Sequence, residues 1–238
     1  MFLIIMSLSS SVTLTLEHEL ARRSYDTTIE FLDNHRMDRV SEMALAVDGV
    51  EKAEVWFVQP TTIVKGDHLV KETGKQAGQG VQLTGLPIGS GMYTPLMVAG
   101  RWLQPGDGRA IVMNRETAVD NQIGIGDTVT LDLGPLGRDD WQVVGLYQVV
   151  IGDVVNIDAI YAPQEVVFDA VKIHNRGSQL YVRTRFHNAD YAAAVTTRLK
   201  DVYEGRKMDV FAGQTIYETQ KESTTQFSIV TGMMLALA

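Results

Sequence analysis

Two stretches of this chain share one local grammar: a strand of period two, a helix with apolar positions three or four apart, then a second strand. In the first, "YDTTIEF" alternates Thr27, Ile29 and Phe31 with polar residues, which predicts a strand with one buried face. "DNHRMDRVSEMALAVDG" then sets Met37, Val40, Ala44 and Val47 on one side of a helix. Asp33 or Asn34 is placed to cap that helix and Gly49 to stop it in a left-handed turn. "VEKAEVWFVQP" returns as a strand that ends at Pro60. The second unit opens with "QLYVRTRF", where Leu180, Val182, Thr184 and Phe186 oppose Tyr181, Arg183 and Arg185. Asn188 caps the helix "ADYAAAVTTRLKDVYE" with its stripe Ala192, Val195, Leu199 and Val202, Gly205 ends it, and "KMDVFAG" is the returning strand. Two such units predict a four-stranded sheet with both helices on one face, the split β-α-β arrangement.

The sequence between them is too long to be a loop and is β-rich. It holds "VQLTGL", "AIVMN", "DTVTLDL", "WQVVGLYQV" and "DAIYA", separated by Gly, Pro and Asp turns. Short helices are predicted after Asn114 ("RETAVDNQ") and after Pro163 ("QEVVFDAV"). The fold class that follows is α+β: a discontinuous subdomain of residues 24–60 and 176–213, with a β-rich subdomain, residues 61–175, inserted into it.

The two ends differ from this middle. "MFLIIM" is apolar but far short of the about 20 residues a helix needs to cross a bilayer. It has no positive n-region and no clean small-residue cleavage site, so it does not read as a signal peptide. "SLSSSVTLTLEHELARR" fits a strand through Val12, Leu14 and Leu16, and a helix through Leu8, Val12, Leu16 and Leu20; the longer stripe favours the helix. From about Thr215 the chain reads as a helix, polar through "YETQKESTTQ" and then uncharged and largely apolar from Phe227 on, as a helix looks where it enters a membrane. Composition leaves two readings of these ends open: stumps of two membrane helices, or a pair of terminal helices buried in a globule.

Composition adds mostly exclusions. With 238 residues, 45% hydrophobic and 21% charged, the chain can bury a substantial core, as one large domain or two small ones. A net charge of -8 argues against a nucleic-acid partner, whose phosphates call for clustered Lys and Arg. There is no cysteine, hence no disulfide and no thiolate nucleophile. "GIGDTV" (Gly124, Gly126) and "IGSGM" (Gly89, Gly91) lack the third glycine and the following helix of a phosphate loop, and read as a turn into a strand and a loop. His18, His35, His68, His174 and His187 are scattered; His18 and His35 fall on predicted helix faces and read as solvated. Asp139 and Asp140 read as a charged hairpin turn, since no EF-hand spacing surrounds them. No Gly-x-Ser-x-Gly elbow occurs. Trp56, Trp102 and Trp141 suit core anchors better than a ligand platform. Met233 and Met234 suit a membrane helix, and Arg22 and Arg23 are placed for lipid headgroups if the first helix rises from a bilayer. No catalytic residue, metal ligand or cofactor is expected.

One longer pattern remains. "LMVAGRWLQPGDGRAIVMNRETAVDNQIGIGDTVTLDL" followed by "WQVVGLYQVV" resembles the extracytoplasmic core domain of MacB-like and FtsX-like ABC transporter permeases. In that family a GRW or GRxL stretch precedes an AIVxN strand, a short helix, a GDTVTL strand and W-x-VVG. The matching positions here are Gly100, Arg101, Trp102, Ala110, Ile111, Val112, Asn114, Gly126, Asp127, Thr128, Val129, Trp141, Val144 and Gly145. Of these Gly100, Arg101, Trp102, Asn114, Gly126, Asp127, Trp141 and Gly145 are expected to serve structure. "KGDHLVKETGKQAGQG" and "PIGSGMYTP" do not align with the family pattern.

The resemblance implies that the flanking β-α-β units form the family's porter-like subdomain. It implies further that residues 1–23 carry the end of a first membrane helix and 214–238 lead into a second. The implied partners are the membrane, a cytoplasmic ABC ATPase that is a separate subunit or domain, a second permease in a dimer, and an extracytoplasmic cargo or protein that no residue here selects. The implied location is the cell membrane, with this domain outside the cytoplasm. The implied mechanism is mechanical: ATP-driven movement of membrane helices tilts or separates the lobes. The competing readings are a free-standing secreted or membrane-anchored module that holds a ligand between its lobes, and an enzyme with a dispersed hydrolytic site.

Overall fold

In the computed structural model, residues 18, 21–66, 68–70, 81–149 and 158–236 are described. They form strands β1 (Thr27–Arg36), β2 (Val50–Lys65), β3 (His68–Leu69), β4 (Val81–Leu86), β5 (Leu96–Gly100), β6 (Ala110–Asn114), β7 (Thr128–Asp132), β8 (Arg138–Gln148), β9 (Ala159–Pro163), β10 (Arg176–Thr184) and β11 (Val210–Thr215). The helices are α1 (Met37–Leu45), α2 (Arg115–Asp120), α3 (Gln164–Val171), α4 (Ala189–Glu204) and α5 (Ile216–Ala236).

The strands follow one path, β11-β1-β10-β2-β4-β9-β6-β8-β5, with β3 and β7 also paired to β2. Its first part, β11-β1-β10-β2, is antiparallel throughout and belongs to the two β-α-β units. The second part mixes antiparallel pairs with the parallel pairs β4–β9 and β6–β8. Strand β2 belongs to both parts: Val50–Trp56 pair with β10, while Phe57–Thr61 pair with β4 and Thr62–Val64 with β7. The expected limit at residues 60 and 61 therefore falls inside a continuous strand.

Pro60 does not end β2, contrary to the sequence expectation. It lies between the stretch paired to β10 and the stretch paired to β7, so on that flank no ladder bond depends on its missing N–H. The cap of α1 also differs. Asp33 and Asn34 lie within β1, and the helix begins after Arg36, which provides no side-chain cap. Asn175, just ahead of β10, supplies the acceptors instead: its carbonyl takes the Met37 N–H (3.0 Å) and its side chain the Asp38 N–H (3.3 Å). A cap from so distant a residue leaves no local signature. Helix α1 stops at Leu45, and Gly49 turns the chain into β2 at φ +100° with Tyr191 Oη 2.7 Å from where its Cβ would sit.

Elsewhere the periodicities hold. Met37, Val40 and Ala44 of α1 and Val47 are buried, as are Ala192, Val195 and Leu199 of α4. Asn188 caps α4 by accepting the Tyr191 N–H (2.9 Å). Both helices lie on the same face of β1, β10 and β2, where Tyr203 of α4 donates its hydroxyl to the Val40 carbonyl of α1 (2.8 Å). Strand β10 ends at Thr184, which leaves Phe186 56% exposed in the following loop. His35 lies in β1, not on a helix, and its ring packs edge-on against Phe31 at 5.2 Å; this burial lowers its pKa. His18 is helical and exposed, and the rest of the segment predicted as a helix before Arg22 lies mostly outside the described residues. Asp139 and Asp140 sit in β8, paired with Arg109 (3.0 Å) and Thr130 (2.6 Å), so the hairpin turn falls before them. Strands β3 and β5 were not foreseen.

Side chains alternate across β2, so neighbours Trp56 and Phe57 enter different cores. Phe57, fully buried, belongs to the core under the helices; Trp56, 1% exposed, belongs to a second core on the other face with Leu86, Met92, Tyr93, Tyr147 and Tyr181. Phe57→Ala is expected to cost about 3–5 kcal/mol. Thermal denaturation followed by circular dichroism should show a fall of roughly 10 °C. Phe211→Ala, at a site 65% exposed, should stay within about 0.5 kcal/mol of the parent.

Candidate functional site

The chain reaches the body through residues 22–26, and its backbone is stitched to both parts of the sheet there. Ser24 donates to the Met92 carbonyl (2.8 Å), Thr94 to the Arg22 carbonyl (3.1 Å), and Arg23 bridges Tyr93. Two residues on, Asp26 N–H bonds the Val182 carbonyl of β10 (2.9 Å), while the Asp26 carbonyl takes the N–H of Ile216, the first residue of α5 (3.0 Å). Thr27 pairs with Thr215, so the point where the chain enters β1 touches the point where it leaves through α5.

The Asp26 side chain holds this point together. It is 4% exposed and accepts the Thr184 N–H at 2.7 Å, the Tyr217 hydroxyl at 3.1 Å and His187 Nδ1 at 3.0 Å. A carboxylate only accepts, so the imidazole presents its Nδ1–H. The donors come from the end of β10, the loop before α4, and the first turn of α5. Desolvation, with the nearby Asp26 adding to it, pushes the Tyr217 hydroxyl up to about 12. A capping box completes the base of α5: Thr215 Oγ1 accepts the Glu218 N–H (3.1 Å) and Glu218 Oε2 accepts the Thr215 N–H (2.8 Å). The following polar turns carry a shallow concavity lined by Tyr217, Gln220, Lys221, Thr224 and Thr225. Among the described residues, no helix is long and apolar enough to cross a membrane.

Sequence reasoning named neither Asp26 nor Tyr217, and treated His187 as unpartnered. Asp26 and His187 lie 161 residues apart, Asp26 and Tyr217 191 apart, so no local spacing could show the cluster. The Thr-x-x-Glu signature of the cap, by contrast, was there to be read in "TIYE".

The motif residues gather elsewhere, along β8. Gly100 and Gly145 face each other across β5 and β8. A Cβ on Gly145 would overlap the Arg101 carbonyl oxygen, and one on Gly100, at φ +67°, would overlap that of Val144. Arg101 forks onto Asp107 (2.8 and 2.6 Å) and holds that carboxyl below its usual range, which closes the loop after β5. Trp102 packs on Tyr161 at 5.3 Å. Asn114 pairs with Tyr147 of β8, caps α2 through the Glu116 N–H (2.9 Å) and donates to Asp158 (3.0 Å). Gly126, at φ +91°, bonds the Val143 carbonyl (2.7 Å), and Asp127 takes the Lys65 ammonium (2.8 Å) and the Gly124 N–H (3.0 Å). Trp141 is fully buried within β8 itself. "GIGD" is thus a turn filled by its own aspartate.

Two solved structures share this architecture. One is the extracellular domain of the noncanonic ABC-type transporter YknZ from Gram-positive bacteria, at TM-score 0.52 and 15% identity, with 80% of this chain and 98% of that one covered. The other is the periplasmic region of MacB from Actinobacillus actinomycetemcomitans, at TM-score 0.54 and 13% identity, with 89% and 97% covered. The fold class is therefore that of extracytoplasmic domains of ABC-type transporters. The family described as MacB-like periplasmic core domain matches residues 1–202, and the chain belongs to it. It is an extracytoplasmic domain of a MacB-like ABC transporter permease. No curated protein matches the chain significantly in sequence.

Two expectations follow. Gly145→Ala should destabilise by about 3 kcal/mol or more, because the clash is with backbone, whereas Gly108→Ala, with nothing within 4 Å, should be near neutral in denaturant melts. A phenol raised to about 12 contributes stability that is whole below the ordinary value of about 10 and is lost as pH rises through the folded value. Absorbance titration at alkaline pH should therefore show a tyrosine ionising near 12, ahead of the more deeply buried Tyr161, Tyr181 and Tyr203, and that step should disappear in Tyr217→Phe. In Asp26→Asn it should move down but stay above about 10, since desolvation is the larger cause.

Proposed function

We propose that this domain relays movement between membrane helices and the extracytoplasmic body, through the joint at Asp26. The observation that carries this reading is the meeting of the inbound segment and the base of α5 on one buried carboxylate. A domain driven by a pair of membrane helices needs both connections close together, so that relative displacement of the helices becomes rotation of the body. The joint meets that need, because Ile216 and Tyr217 are bonded to Asp26, the residue just before β1.

The polar part of α5 acts as a stalk. From Ile216 to the apolar run at Phe227 it lifts the body about 16 Å at the helical rise per residue. Its capping box and the Asp26 contact tie the helix base to the sheet, so a change in the angle of the helix is taken up in these bonds. Work comes from an ABC ATPase on the cytoplasmic side, held in a separate subunit or domain. The ATP-bound and nucleotide-free states must then differ in the contacts made at this base, since a switch needs contacts of unequal strength in its two states.

Hydrogen exchange on the intact transporter with its ATPase tests this. Amides at residues 24–26 and 216–219 are expected to change protection by about tenfold or more between nucleotide-free and ATP-bound states. Tyr217→Phe should reduce the change while ATP hydrolysis continues. Equal protection in both states would sink the relay.

A further inference from the structure

We infer that the two parts of the sheet move as one lever, so that motion arriving at the joint tilts the whole body and opens no cleft between its parts. The inference rests on the relay reading and decides between its two forms, tilting and separation.

A hinge between packed bodies is a segment with few buried contacts, free to absorb changes in φ and ψ. Two segments join the parts here: the return from α3 to β10 at residues 172–175, which Asn175 ties to the start of α1, and β2 at Val55, Trp56 and Phe57, which are 4%, 1% and 0% exposed. The seam is packed on both faces. On the helix side, the Phe57 ring meets Phe168 of α3 at 6.3 Å, and Gln164 at the head of α3 reaches the Met37 sulfur of α1 at 3.4 Å. Helices from the two parts therefore touch over the seam. On the other side, Trp56 lies against Tyr181 at 3.9 Å, and their shared core continues through Met92 and Tyr93 into the second part.

Polar contacts close the same seam. Glu54 accepts from Ser90 Oγ and from Trp56 Nε1 (3.2 Å), and pairs with Lys52 (2.6 Å). Phe57–Thr61, where β2 has lost β10 and not yet gained β7, keeps its ladder to β4 on the other flank. The inbound segment crosses from one part to the other through Ser24–Met92 and Arg22–Thr94. Parting the two halves would open two apolar cores and break backbone bonds on either side, which tilting leaves untouched.

Paired nitroxide labels in the intact transporter test the lever. These 238 residues hold no cysteine, so, with any cysteine elsewhere in the transporter replaced and the doubly labelled protein diluted with unlabelled protein, Ala194→Cys on α4 and Glu116→Cys on α2, both exposed, give one labelled site in each part. The expected result is a single narrow distance distribution whose centre shifts by less than ~3 Å between nucleotide-free and ATP-bound states. A larger shift, two populations, or a broad distribution in either state would overturn the lever. Exchange at residues 24–26 and 216–219 keeps the two ideas apart: a silent joint refutes the relay, while the width of the label distribution still decides whether the body is rigid.

Discussion

A buried carboxylate sets the constraint around which this molecule is arranged. Removing an ionised group from water costs several kcal/mol unless hydrogen bonds replace the lost hydration. At Asp26 the replacements are a backbone N–H of β10, an imidazole and the hydroxyl of Tyr217. None belongs to the strand that Asp26 precedes. The sheet, the loop ahead of α4 and the base of α5 are therefore held to one another by a group that none of them can release cheaply. An attachment of this kind makes a helix displacement felt by the body, because the displacement loads these bonds and is not dissipated in a loose linker.

The same economy of contacts explains why the family pattern is legible in so small a region. Gly100, Arg101, Gly126, Asp127 and Gly145 all meet at Val143–Gly145 of β8, and Asn114 pairs with the same strand further along. These are places where backbone approaches backbone too closely for a side chain, or where a loop closes on its own aspartate. Such demands are local and specific to residue type, so they leave a motif. They also lie apart from the joint, and their role is to hold the second part of the sheet in shape.

How far the sequence could be read follows from the range of each interaction. The helix faces of α1 and α4, the cap at Asn188, and the strands β4, β6, β7, β8 and β9 were all present as periodicity or as a side chain next to its target. The cap of α1 was misread because its acceptors come from Asn175. Pro60 was misread because a proline ends a strand only where its missing N–H would have been paired, and pairing is a property of neighbours in space. β5 escaped because it is short and none of its residues is fully buried, lying at an edge next to a bulge. The joint escaped altogether, since its members are a lone Asp, a lone His and a lone Tyr in an acidic chain.

The sequence by itself determined most of the helices and strands, the split β-α-β grammar, and the glycine and aspartate turns around β8. Those choices rest on torsional preference, periodic burial and contacts between residues close along the chain. Only the tertiary structure decided that β2 serves both parts of the sheet, that Trp56 and Phe57 anchor separate cores, and that Asp26 binds the first turn of α5. Each of these depends on segments far apart in sequence arriving at one place, and burial rewards that arrival without marking it in any local pattern.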